Sequence, residues 1–121
     1  MAYVIAHEFG HHVQSVMGIS DEVQREVATD GSLRNELSTR QDLQADRLAG
    51  VWAHSSMAGV EPGDIDEALT AAAAVGDDQI QAFVSGRIDP QTWTHGSSKQ
   101  RQTWFSTGHT SGSVADCDTF K

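Results

Sequence analysis

Near the start of the chain stands His7-Glu8-Phe9-Gly10-His11. No other feature constrains the fold as tightly. Residues four apart lie on one face of an α-helix, so both imidazoles can reach a single metal ion at roughly 2.0–2.1 Å. Glu8 lies about 100° round from His7. That is too far round for a third ligand from the same turn, and well placed to touch a water on the metal. Zinc lowers the pKa of such a water, and a neighbouring carboxylate can take its proton and pass it to a leaving amine. Ile5, Phe9, Val13 and Val16 recur at helical spacing on roughly the opposite face. The expectation is a helix over about Ala2–Met17, with apolar contacts on one side, a metal on the other, and burial on most sides. Gly10 in a helix interior costs roughly 1 kcal/mol relative to alanine, so some neighbour needs the space.

A tetrahedral catalytic zinc takes a third protein ligand and keeps one open position. Asp42 and Asp46 are the leading candidates. They fall on one face of a long helix expected from about Leu33 to His54, in the row Asp42, Ala45, Asp46, Ala49, Ala53. Aspartate is a poor residue for a helix interior, and small neighbours let another helix come close. One acid would bind the metal and the other would hold a histidine ring N–H. His12 is one residue off the metal face. His54 lies over three turns beyond Asp42, about 18 Å along the axis, so it cannot share a site with it.

Further helices are expected after Ser20-Asp21-Glu22, after Pro62-Gly63-Asp64 with Asp64 and Glu67 as a capping box, from Asp77 and Asp78 to near Gly86, and from Ser97 or Ser98 to about Gly108. Thr107 to Lys121 reads as irregular, and no stretch reads as a strand. Trp52, Trp93 and Trp104 are expected in the core. The 121 residues form one domain, 1–121, mainly α. Seventeen acidic residues against 8 basic ones give a charge of -9, which argues against nucleic acid and anionic membranes as partners. Cys117 is the single cysteine, so no intrachain disulfide can form. Met1 to Ala6 has neither the basic flank of a signal peptide nor the length of a span. The chain itself therefore reads as soluble.

Several separated segments resemble the bacterial neutral zinc metallopeptidase family. They are Ala2 to Gln14, Leu43-Gln44-Ala45-Asp46, Leu48 to His54, Pro62-Gly63-Asp64-Ile65, Ala71 to Asp78, His95-Gly96-Ser97-Ser98 and Cys117-Asp118-Thr119-Phe120. The resemblance implies a zincin-like site, Zn2+ as cofactor, and a peptide or protein substrate. Its members are membrane-anchored through an N-terminal segment, which implies a cell-envelope location. Their third ligand is a glutamate, where this chain has Asp42, one methylene shorter; Asp46 matches the family's aspartate. Members often carry cysteine at the position of Arg47 as well as at Cys117, so a link between those positions would be absent here. Relatives have a long stretch before the zinc helix, expected to supply strands. This chain then reads as the helical, ligand-bearing portion of a zincin-like domain, with the upstream β part missing.

The resulting expectation is a zinc metallopeptidase with His7, His11 and Asp42 on the metal, Asp46 behind a histidine, and Glu8 as general base. His95, in a loop before a helix start, is the candidate donor to an oxyanion. Tyr3 lies on the same side as His7 but on the metal-bearing helix itself. The alternative is a zinc-binding fragment or interaction module without activity.

Overall fold

A computed structural model describes residues 2–55, 61–115 and 117–120 of the chain. Among them are six α-helices and no strand: α1 (Ala2–Val16), α2 (Ile19–Thr29), α3 (Arg34–Ser55), α4 (Pro62–Ala74), α5 (Asp77–Val84) and α6 (Ser98–Ser111). The chain is mainly helical, as its periodicity requires. No helix among the described residues is long and apolar enough to cross a membrane.

Helix α3 is the axis of the fold, with α1 and α6 packed along it. Every residue from Asp42 to Val51 is buried. Small side chains make this possible. A Cβ on Gly10 would stand 2.7 Å from the Ala45 carbonyl oxygen, so α1 crosses α3 at that glycine. A Cβ on Gly50 would lie 2.1 Å from the Phe105 carbonyl oxygen, and one on Gly108 would lie 2.1 Å from that of Arg47. The α3–α6 crossing is thus backbone against backbone, closed by paired glycines. The apolar core around it joins Tyr3, Ala6, Ala49, Ala53, Ala68, Ala72 and Phe105. A second cluster, Leu48, Val51 and Cys117 with Val13 against it, lies on another side of α3.

Four expectations are corrected. Helix α1 does not bury its apolar face: Ile5, Phe9 and Val16 are exposed, and the buried residues are Tyr3, Ala6, His7, Gly10 and Gln14. The close approach of α3 selects the side that has a glycine and an alanine. Trp52 is on the surface, because the neighbouring faces of α3 are taken by α1 and α6. Helix α6 runs on to Ser111, where Gly112 in the left-handed conformation (φ 62°) stops it. At the start of α4 the Asp64 carboxylate accepts from the Glu61 N–H at 2.9 Å, so the capping pair is Glu61 with Asp64, not Asp64 with Glu67.

Candidate metal centre

Three elements meet at the site. Helix α1 presents His7, Glu8 and His11, whose ligand atoms lie within 4.8 Å of one another. Helix α3 presents Asp42, with Oδ1 at 3.2 Å from His7 Nε2 and 3.2 Å from His11 Nε2. The loop before α6 brings His95, whose Nδ1 lies 3.2 Å from Asp42 Oδ2.

Each of the two rings is also held through its other nitrogen. His7 Nδ1 lies 2.9 Å from Asp46 Oδ1, and His11 Nδ1 lies 2.9 Å from Gln14 Oε1. Gln14 is fully buried and donates in turn to the Gln41 carbonyl at 2.8 Å and to Gln44 Oε1 at 2.7 Å. Gln44 donates to the Cys117 carbonyl at 2.6 Å. Those amides fix Gln14 with its oxygen toward the histidine. With Nδ1–H committed on both rings, each Nε2 faces the Asp42 carboxylate and can either donate a proton to it or, once that proton is lost, offer a lone pair to a cation. Two neutral rings and an anionic oxygen facing one another repel unless a proton or a metal cation lies between them. Tetrahedral ligands on bonds of 2.0–2.1 Å stand about 3.3 Å apart, close to the 3.2 Å separations seen here. The donors therefore fit zinc in type and in spacing.

The electrostatics have the same origin. Burial opposes charge on His7, but its hydrogen bonds to Asp42 and Asp46 and their negative charges prevail, and its pKa rises to about 9. Burial also opposes charge on Asp42, yet its bonds to His11, His7 and His95 hold it far below the usual carboxylate range. Asp46, wholly buried, accepts from the Tyr3 hydroxyl as well as from His7. The two acids thus differ in place: Asp42 faces the Nε2 atoms, while Asp46 faces the back of His7. Tyr3 is buried and its hydroxyl is raised above its usual range by burial and by Asp46, so it is committed to the interior. His12 is exposed on α1, and His54 bonds through Nδ1 to the His109 carbonyl at the far end of α3.

The His95 loop is shaped by Asp77, the first residue of α5. Its Oδ2 accepts from the N–H groups of Thr94, His95 and Gly96 at 3.0, 2.7 and 2.9 Å. A helix-start aspartate is thereby also the clamp of a site loop, a role its sequence position does not betray. Arg101 on α6, which no spacing rule singles out, contacts both acids. A cavity of about 620 Å³ lies elsewhere, between α2, α3 and the C-terminal segment; Gln44 and Cys117 line it, and His7, Glu8, His11, Asp42, Asp46 and His95 do not.

Residues 1–120 match the family described as "Putative neutral zinc metallopeptidase". The chain is 52% identical over 122 residues to the uncharacterized protein YpfJ of Escherichia coli K12, covering 98% of this chain and 42% of that one. It is 45% identical over 130 residues to the uncharacterized protein Rv2575 of Mycobacterium tuberculosis H37Rv, covering 98% of this chain and 43% of that one. The chain therefore spans less than half the length of these relatives. No solved structure matches it.

Proposed function

The chain belongs to this zinc metallopeptidase family, and on that premise we propose that it carries the catalytic centre of a zinc-dependent peptidase acting on peptide or protein substrates. The observation that carries the reading is the convergence of His7 Nε2, His11 Nε2 and Asp42 Oδ1 on one point, with the base-bearing Glu8 beside them. In this reading His7, His11 and Asp42 are the ligands, and Asp46 holds His7 in its metal-facing tautomer. A bound zinc ion would supply Lewis acidity toward a substrate carbonyl and a water molecule.

Glu8 is exposed, on the side of α1 that solvent reaches. Its carboxylate takes a proton from the attacking water and hands it to the departing amine. A purely structural site has no use for such a base. His95 stands at the rim, its side chain half exposed, with Nδ1 toward Asp42. That hydrogen bond, together with the Asp42 charge, raises its pKa. In its protonated form the ring, with Nδ1–H given to Asp42, would keep Nε2–H to donate to a developing oxyanion. The family's cell-envelope location belongs to the same proposal.

Glu8→Gln separates metal binding from chemistry. Zinc content is expected to stay at parent level, while peptide hydrolysis falls by about 10²–10⁴-fold. A Glu8→Gln protein that hydrolyses peptides at the parent rate would remove the general-base role.

A further inference from the structure

The Arg101 guanidinium is buried and touches both acids at once. Its Nε donates to Asp46 Oδ2 at 2.9 Å, and its Nη2 lies 3.2 Å from Asp42 Oδ2. Nη2 also donates to the Tyr3 hydroxyl at 3.0 Å, and Nη1 to the Val75 carbonyl at 3.0 Å. One planar group thus ties α6 to α1, α3 and the end of α4. The mechanism above leaves it without a task.

Asp42 has two oxygens, and the torsion that turns a carboxylate is soft. A carboxylate can offer a cation one oxygen or both. Here Oδ2 is engaged by Arg101 Nη2 and by His95 Nδ1. Oδ1 alone is left to face the two imidazoles. Asp42 also has a short side chain, so a small rotation moves its oxygen off the meeting point. The Arg101 fork is rigid: Nε is anchored by Asp46 and Nη1 by Val75, while Nη2 is shared among the Tyr3 hydroxyl, Asp46 Oδ1 at 3.4 Å and Asp42 Oδ2. A lysine ammonium is a point charge with no such geometry.

We propose that Arg101 is a positioning residue that fixes Asp42 as a one-oxygen ligand. This rests on the reading of His7, His11 and Asp42 as a metal site. The competing account is charge balance alone, which any buried cation beside the two acids would provide.

Arg101→Lys keeps the charge and removes the fork. Zinc affinity of the whole 121-residue chain, by competition with a chromophoric chelator, is expected to fall about tenfold to hundredfold. In the cobalt-loaded protein the visible d–d bands should lose intensity, as a second carboxylate oxygen enters the coordination sphere. A residue with only a structural role would lower the melting temperature and leave the cobalt spectrum unchanged. That result, or zinc affinity within about threefold of the parent, overturns the proposal. Should the lysine variant not fold with zinc present, the cobalt spectrum of Arg101→Gln decides, and d–d bands of parent intensity overturn the proposal. If neither folds, Arg101 is a residue of the fold and the proposal falls. A parent chain that binds no zinc overturns the metal-site reading, and this inference with it. A parent that binds beside a lysine variant that binds equally well overturns this inference alone.

Discussion

The two long faces of α1 have opposite fates. One carries Ile5, Phe9 and Val16 and lies in solvent; the other carries His7, Gly10 and Gln14 and is buried. Hydrophobicity alone would assign them the other way round. Burial of the polar face is sustained by full pairing: His7 to Asp42 and Asp46, His11 to Asp42 and Gln14, Gln14 to Gln41 and Gln44. Buried polar groups are tolerated where each finds its partner. The backbone adds a steric reason, since only the face with Gly10 lets α3 approach. In this helix, packing follows the site and not the apolar stripe.

The contrast breaks most severely at Asp42, on which the buried face converges. Asp42→Ala is expected to weaken zinc binding by more than about a hundredfold, beyond the usual cost of losing a group behind a ligand. Asp21→Ala, on an exposed first turn of α2, should leave it unchanged. Equal effects in a chelator competition would mean that another group is the third ligand. The next effect is steric. A methyl group at Gly10 would meet the Ala45 backbone at 2.7 Å, and backbone cannot turn aside as a side chain can. Gly10→Ala should therefore destabilise the metal-free chain by about 1–3 kcal/mol, despite alanine's better helix propensity. Urea unfolding measures the difference, and a more stable variant would mean that α1 and α3 stand further apart.

Most helix limits were legible because local chemistry marks them. Ser97 caps α6, with Gln100 returning the bond, and Asp77 and Asp78 open α5. The grouping of His7, Glu8 and His11 was legible because helical spacing sets residues four apart on one face. Asp42 and Asp46 were legible as a pair from helical spacing and a row of alanines, but which of them faces the Nε2 atoms was an expectation from the family resemblance alone, not from spacing. That depends on which oxygen meets which ring nitrogen, a matter of how far α3 slides along α1. Arg101 was invisible for a related reason. It lies 55 residues beyond Asp46 in the chain, and only the glycine-closed crossing of α3 and α6 brings it there. The misplaced apolar face of α1 has the converse cause. Periodicity reports which residues share a side, and does not say which side a neighbour will cover.

The buried face also carries a proton that the exposed face does not. His7 has a folded pKa of about 9, above the unfolded value near 6.5. Its protonated form thus stabilises the metal-free fold fully below pH 6.5, and that contribution is lost as pH rises through about 9. Zinc needs the neutral ring and must displace this proton. Apparent zinc affinity should therefore climb about tenfold per pH unit from near 7 toward 9 and flatten above it. Metal-free stability should decline over the same interval. Chelator competition at several pH values gives the slope, and no slope would show that His7 meets the metal already neutral.

The smallest effect is expected beside the largest steric one. Phe9 precedes Gly10 and is 49% exposed, so its side chain leaves much of its area in water whether the chain is folded or not. Phe9→Ser removes an aromatic ring, a far larger change of composition than one methyl at Gly10. Yet it should shift stability by no more than about 0.5 kcal/mol. Urea unfolding of the two variants side by side tests the ranking. If Phe9→Ser proved the costlier, the apolar stripe would be packed in solution, and the buried polar face would not by itself explain how α1 is held.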